Sequence, residues 1–161
     1  MGRAEAETAI ALYGTQILHL AYSYLHNQAD AEDVLQDAMV QLICRAPDFE
    51  SPEHTRAWLL RVAINLCKNR LRAPWKRWAP LPEDYPGQGI PEDSLALFQA
   101  VGALPVRYRE VVHLFYYEDL TTAEIAALLG EREEAVRKRL SRARAQLRDV
   151  LKERGEPDGT L

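Results

Sequence analysis

Residues 121–148 read TTAEIAALLGEREEAVRKRLSRARAQLR, and this stretch decides the fold. Thr121 with Glu124 three residues on is a capping box, in which the hydroxyl and the carboxylate satisfy backbone N–H groups at a helix start. Ile125, Ala126 and Leu129 give the short helix that follows one apolar face. Gly130 suits the left-handed turn that ends it. A second helix carries Val136, Leu140, Ala143, Leu147 and Val150 at spacings of four, three, four and three. Two helices joined by a tight glycine turn, the second rich in Arg and Lys, make a helix-turn-helix pattern. In that arrangement the first helix braces the second, and the second enters the major groove of DNA. The apolar stripe must face the brace, so Arg137, Lys138, Arg142 and Arg144 are expected to face out. Arginine grips guanine through two bonds and lysine holds phosphate. Arg132 and Glu134 stand at the start of the same helix; Glu134 would repel phosphate but can accept from a cytosine amino group.

Helical spacing continues toward the N-terminus. Leu95, Phe98 and Val101 predict a short helix ending near Gly102, and Pro105 opens another through Val111, Val112 and Phe115. Before these, Pro74, Pro80, Pro82, Pro86 and Pro91, with Gly87 and Gly89, cannot sustain a helix or a central strand, so 74–92 reads as a linker. The first half has three helical stretches. Ile10, Tyr13, Ile17, Leu20 and Tyr24 share one face of a helix over 4–25, and His26-Asn27-Gln28 breaks it. A second helix is expected to start with Asp30 as cap, with Glu32 and Asp33 in its first turn and Val34, Ala38 and Leu42 on its apolar face. Ser51-Pro52-Glu53 starts a third: a hydroxyl cap, proline at the first helical position, then an acid. Trp58, Val62 and Leu66 are its expected core stripe. Arg61, Asn65, Lys68 and Arg72 lie on another side. No strand pattern and no internal repeat is visible. The expected fold is all-α: two small helical domains, 1–73 and 93–154, joined by the Pro/Gly-rich linker 74–92, with a tail over 155–161.

The charge is segregated. The chain has 161 residues and a net charge of −4, but residues 54–78 hold seven basic and no acidic side chains, and residues 132–154 hold nine basic and four acidic. Residues 1–53 and 79–131 each hold two basic and nine acidic. Phosphate contacts need local positive charge, so two separated basic blocks point to nucleic acid despite the acidic total. Phe49, Trp75 and Trp78 flank the first block, and aromatic rings beside cations are what single-stranded bases stack on; docking on a neighbouring surface is the competing role for the two tryptophans. The acidic run Asp30, Glu32, Asp33, Gln36, Asp37 fits a solvated face or a basic protein partner.

Other classes fall away. No apolar run approaches the roughly 18–20 residues of a membrane span, and Met1–Glu7 lacks the core of a signal peptide, so a cytoplasmic protein with no direct membrane insertion is expected. Cys44 and Cys67 stand outside any metal-binding spacing and read as small hydrophobes on buried helix faces; no metal and no cofactor is expected. His19, His26, His54 and His113 are scattered, with no phosphate loop and no nucleophile–base pair, so no catalytic residues and no enzyme are expected.

Four motifs carry a resemblance over residues 9–151. Asp30-Ala31-Glu32-Asp33-Val34-Leu35-Gln36-Asp37 resembles the D-A-E-D segment of extracytoplasmic-function sigma factors, in the sigma-70 family. Ala57-Trp58-Leu59-Leu60-Arg61-Val62-Ala63-Ile64-Asn65 is similar to their A-W-L helix. Leu104-Pro105-Val106-Arg107-Tyr108-Arg109-Glu110-Val111 resembles their L-P run ending in R-E-V. Ala123-Glu124-Ile125-Ala126 with Gly130, then Arg139-Leu140-Ser141-Arg142-Ala143-Arg144, is similar to their helix-turn-helix.

The resemblance implies a promoter-recognition factor for core RNA polymerase, working in a stress or envelope response under an anti-sigma factor that is commonly membrane-linked. Asp30, Glu32, Asp33, Gln36 and Asp37 would dock on the beta-prime clamp. Phe49 and the Asp48–Ser51 loop, with Arg56, Arg61, Asn65, Lys68 and Arg72, would open and hold the minus 10 element and capture a flipped base. The second domain would bind the beta flap, and Arg132, Glu134, Arg137, Lys138, Arg142 and Arg144 would read the minus 35 element as duplex. The linker would thread toward the active-site and RNA-exit channel. The chain departs from the family pattern at Glu131 and Arg132, where a hydrophobic residue and then Ser or Thr are usual, at Glu133-Glu134-Ala135, and at Asn69, where aspartate is common. The alternatives are a sigma mimic that binds anti-sigma protein without DNA, and a plain helix-turn-helix regulator. A mimic would lose its outer cations, which this chain keeps, and a plain regulator would not require the Asp30–Asp37 segment.

Overall fold

The computed structural model describes residues 2–72 and 95–153, with side chains described from 99 in the second stretch, and every regular element among them is helical. The expected linker, the tail, Trp75 and Trp78 lie outside the described residues, as do the side chains of Leu95 and Phe98. Two compact units divide the chain, residues 1–85 and 86–161. No described helix is long and apolar enough to cross a membrane.

The first unit is three helices: α1 (Arg3–Leu25), α2 (Gln28–Arg45) and α3 (Pro52–Arg72). α1 ends where His26 turns left-handed at φ 48°, its N–H returning to the Tyr22 carbonyl at 2.8 Å. α2 starts two residues before the expected Asp30 cap. Asn27 is extended and its Oδ1 accepts from the Asp30 N–H at 2.9 Å, so the amide side chain takes the capping role and Asp30 falls in the first turn. Ser51 caps α3 as expected, its Oγ accepting from the His54 N–H at 3.1 Å. Ile17, Leu20 and Tyr24 of α1 and Val34, Ala38 and Leu42 of α2 are buried in the core, where α1 packs on α2. Gly14 is buried in α1; an added Cβ would crowd Ile10 of the same helix at 3.2 Å but meet Leu35 of α2 at an ordinary contact distance of 3.8 Å.

Two expectations fail here. The core stripe of α3 is Leu59, Leu60, Ala63, Ile64 and Cys67; Trp58, Val62 and Leu66 are only half-buried beside it. Both runs have helical spacing, but the first covers a broader apolar arc and takes the centre. Cys67 is buried, whereas Cys44 is exposed, because it lies two residues past Leu42 and so on the opposite side of α2.

The second unit holds α4 (Leu95–Gly102), α5 (Val106–Val112), a π-helical turn (His113–Tyr117), α6 (Thr122–Leu129) and α7 (Glu133–Glu153). The π-helical turn was not foreseen. It is fastened by a buried contact of 3.1 Å between His113 Nε2 and Glu118 Oε1, and Tyr117 stacks on the His113 ring. Arg109 closes α4: its Nη1 donates to the Gly102 carbonyl at 3.2 Å, and burial lowers the guanidinium pKa. Both bonds of the Thr121–Glu124 capping box form, at 3.1 and 3.0 Å. Gly130 is left-handed at φ 68° and its N–H returns to the Ala126 carbonyl. Ile125 and Ala126 of α6 and Val111 and Val112 of α5 are buried with Val136, Leu140, Ala143 and Leu147 of α7. The stripe closes on Leu151; Val150 is half-buried.

Leu42→Ala, which empties a fully buried site in the first unit, should lower the unfolding free energy by about 2–5 kcal/mol. Gly130→Ala, where the space is open but the backbone is left-handed, should cost about 1–2 kcal/mol. Denaturant titration followed by circular dichroism measures both.

Candidate nucleic-acid interface

α3 buries one side and displays the other. Arg61, Asn65 and Arg72 are exposed and Lys68 is half-exposed, on the side away from Leu59, Ala63 and Cys67. Arg56, one turn nearer the start, is half-buried, and its Nε donates to Gln16 Oε1 of α1 at 2.8 Å. At the head of the helix the loop before Pro52 is held by aromatic packing. The Phe49 ring lies edge-on to His54 at 5.2 Å and to Trp58 at 5.7 Å between centroids. The Glu50 N–H donates to His54 Nδ1 at 3.2 Å. Trp58 thus supports the loop from the flank of α3 and does not sit at the centre of the core.

The acidic residues of α2 do not all face solvent independently. Arg70, on the α3 flank nearest α2, sends Nη1 to Asp30 Oδ1 at 3.4 Å and Nη2 to Asp33 Oδ2 at 3.6 Å and Asp37 Oδ2 at 3.8 Å. One guanidinium therefore gathers three of the five singled-out positions. Glu32 and Gln36 are exposed, and Glu32 Oε1 accepts from Gln28 at 3.4 Å. Sequence reading missed Arg70, because it counted as one more cation in a basic block. Its position, five residues past Asn65 and three past the buried Cys67, was the available signal.

The cations from Arg132 to Arg144 fall into three sets: outward, turned aside and inward. Lys138 and Arg142 are exposed on the side opposite the buried stripe, and Arg132 is exposed just ahead of the helix. Arg137 and Lys138 are paired one turn back, with Glu133 at 2.7 Å and with Glu134 at 3.5 Å. Glu133 also accepts from the Thr122 hydroxyl at 2.8 Å, which ties α7 to the first turn of α6. Arg144 is turned onto the π-helical segment: Nε donates to the Tyr116 hydroxyl at 2.7 Å, and the guanidinium lies 5.3 Å from the Phe115 ring centre. Arg139 is the third case and was not among the expected site residues. It points inward, with Nη1 on Glu110 Oε1 of α5 at 2.8 Å and Nη2 on Glu131 Oε2. Glu131 thus occupies the place where a hydrophobic contact was expected, and fills it with a charge pair.

The geometry defines an all-helical, two-unit protein whose second unit is a helix-turn-helix with cations on its outer face. Residues 9–77 match the family described as Sigma-70 region 2, and residues 94–147 match Sigma-70, region 4. The chain is 34% identical over 140 residues to the ECF RNA polymerase sigma factor SigM of Mycobacterium tuberculosis (strain ATCC 25618 / H37Rv), covering 84% of this chain and 71% of SigM. It is 30% identical over 148 residues to the RNA polymerase sigma factor SigV of Bacillus subtilis (strain 168), covering 89% of each. The chain belongs to the sigma-70 family, among its extracytoplasmic-function members. Two solved structures share the fold. The sigma factor RpoE, in complex with the anti-sigma factor NepR from Bartonella quintana, superposes with a TM-score of 0.77 at 22% identity, over 91% of this chain and 96% of that one. CnrH, in complex with the cytosolic domain of CnrY, gives 0.66 at 27% identity, over 94% and 97%.

Arg70→Ala leaves the nearly buried carboxylate of Asp30 without this partner and should lower stability by about 1–2 kcal/mol. Arg72→Ala, two residues on and exposed, should stay within about 0.5 kcal/mol of wild type. Parallel thermal melts of the two variants compare them directly.

Proposed function

We propose that this protein is a cytoplasmic RNA polymerase sigma factor that directs transcription initiation at specific promoters. The observation that carries the reading is the order of regions 2 and 4 along one chain, each with a helix whose outer side is basic. Exposed cations on helices with buried backs are suited to phosphate and base edges, not to a protein core.

The two basic faces suit different DNA. α3 combines Arg61, Asn65, Lys68 and Arg72 with the nearby Phe49 loop, and cations beside a ring-lined loop suit a melted strand. In this reading they hold the minus 10 element, Phe49 contacts an unstacked base, and Arg56 positions α3 against α1. α7 presents Lys138 and Arg142 to the major groove as the main readers of a duplex minus 35 element. Arg132 and Glu134 stand at its leading end. Arg137 reaches phosphate by exchanging Glu133 for DNA, and Arg144 starts from its stack on Phe115 and Tyr116. The acidic face of α2, with Glu32 and Gln36 outermost and Asp30, Asp33 and Asp37 gathered by Arg70, is the proposed dock for the beta-prime clamp, and the second unit the proposed dock for the beta flap. The domain division at residues 73 and 93 follows the same assignment. RpoE, which shares the fold, is in complex with the anti-sigma factor NepR, and this supports an anti-sigma partner for this chain too.

Run-off transcription with purified core polymerase on genomic promoter fragments tests the reading. Transcripts that depend on this protein are expected, and their start points define the two elements. Core binding without any transcript would favour a mimic; no core binding would remove the sigma reading. The double variant Arg61→Ala with Lys68→Ala should keep core binding and reduce promoter opening by at least about tenfold, the scale of one to two lost charged contacts. Equal loss of both activities would contradict the assignment of this face.

A further inference from the structure

α7 carries cations at Arg137, Lys138, Arg139, Arg142, Arg144, Arg148 and Lys152. Counted by charge alone, they form one basic block. The structure separates Arg139 from the others. Its side chain is 12% exposed, against 66% for both Arg137 and Lys138. Its two terminal nitrogens are divided between two carboxylates on different elements: Glu110, 5% exposed on α5, and Glu131, in the turn ahead of α7. With both arms held by carboxylates, the Arg139 guanidinium is not presented to a phosphate.

We infer that Arg139 is a positioning residue: held between Glu110 and Glu131, it sets the roll of α7 on its brace and so decides which base edges Arg142 and Lys138 meet. The inference rests on the proposed reading of duplex DNA by α7. Its physical basis is direction. The stripe Val136, Leu140, Ala143, Leu147 fixes which side of α7 is inward, but apolar contact is non-directional, and Ala143 at its middle is small. A guanidinium fork is planar and rigid, and both arms are satisfied at only one orientation of the helix. Arg139 lies on the flank of the stripe away from Arg137 and Arg144, so its fork and the Arg144 bond to Tyr116 hold α7 from both sides. A reader on the outer side sits at the end of a lever. A small roll about the axis displaces its guanidinium by more than a bidentate contact tolerates.

The test uses polymerase holoenzyme reconstituted with the full chain and compares binding to promoter DNA with the intact minus 35 element and with that element scrambled. Salt dependence is measured on both. Arg139→Lys keeps the charge but loses the fork. Glu110→Gln keeps the shape and loses one carboxylate. Each variant is first shown by its melt to be folded at the assay temperature. Both should lose about tenfold in discrimination, the scale of one bidentate base contact. The slope of log affinity against log salt should not change. Arg137→Ala, the comparison, should reduce that slope by about 0.9, as one lost phosphate contact requires. A drop in slope for Arg139→Lys would place Arg139 on DNA and overturn the inference. So would undiminished discrimination in folded Arg139→Lys and Glu110→Gln, which would leave the clamp a matter of stability only. If wild type itself fails to discriminate while still driving transcription, duplex reading by α7 is wrong, and the inference falls with it.

Discussion

In each unit one long helix must bury an apolar stripe while a run of like charges stays in water. That constraint organises the molecule. α3 buries Leu59, Leu60, Ala63, Ile64 and Cys67, and α7 buries Val136, Leu140, Ala143 and Leu147. Once those stripes are inward, helical periodicity alone puts Arg61, Asn65, Arg72, Lys138 and Arg142 outward. The remaining helices exist largely to supply the other wall: α1 and α2 for α3, and α5 and α6 for α7. Caps and turns set where the walls begin. Asn27, Ser51, Thr121 and Gly130 do so with one or two hydrogen bonds or a left-handed turn each.

Like charges on one helix repel, and the fold answers by withdrawing some of them. Arg70 leaves the basic block of α3 for three aspartates on α2. Arg139 leaves that of α7 for Glu110 and Glu131, and Arg144 leans on Tyr116 and Phe115. Arg137 and Lys138 stay outside but are balanced by glutamates one turn back. These glutamates lie N-terminal to their partners and near the positive end of the helix, both favourable placements. The balance is modest in water, since exposed pairs contribute little, so a polyanion can displace it. The outer pairs therefore suit exchange with DNA, whereas the inner ones suit support.

Much of this was legible in the sequence. The helix-turn-helix followed from Thr121, Glu124, Gly130 and the Val136–Leu147 spacing, because caps and periodicity are local. The outward cations followed from the same spacing. What failed was decided by tertiary competition. Trp58, Val62 and Leu66 have the period of a core stripe but lost the centre to a broader neighbouring arc. Residue type suggests burial for Cys44, but its position two residues past Leu42 puts it on the outer side of α2. Asp30 is a good cap residue, but Asn27 had the extended backbone and reached first. Arg70 and Arg139 were invisible as supports because charge counting does not show which cation faces a carboxylate on another helix. The π-helical turn at His113–Tyr117 depends on the buried His113–Glu118 contact and left no periodic trace.

In the proposed function the two basic faces take DNA in two forms, melted strand on α3 and duplex on α7. Permanganate reactivity of a promoter bound by the reconstituted polymerase, combined with a nuclease footprint, tests it most directly. Two protected patches are expected: an upstream one whose thymines remain unreactive, and a downstream one whose non-template thymines react. Wild-type protein should give both, and Arg61→Ala with Lys68→Ala should keep the upstream patch and lose the reactivity. Reactive thymines in the upstream patch, or melting that survives loss of the α3 cations, would rule out this division of DNA between the two faces.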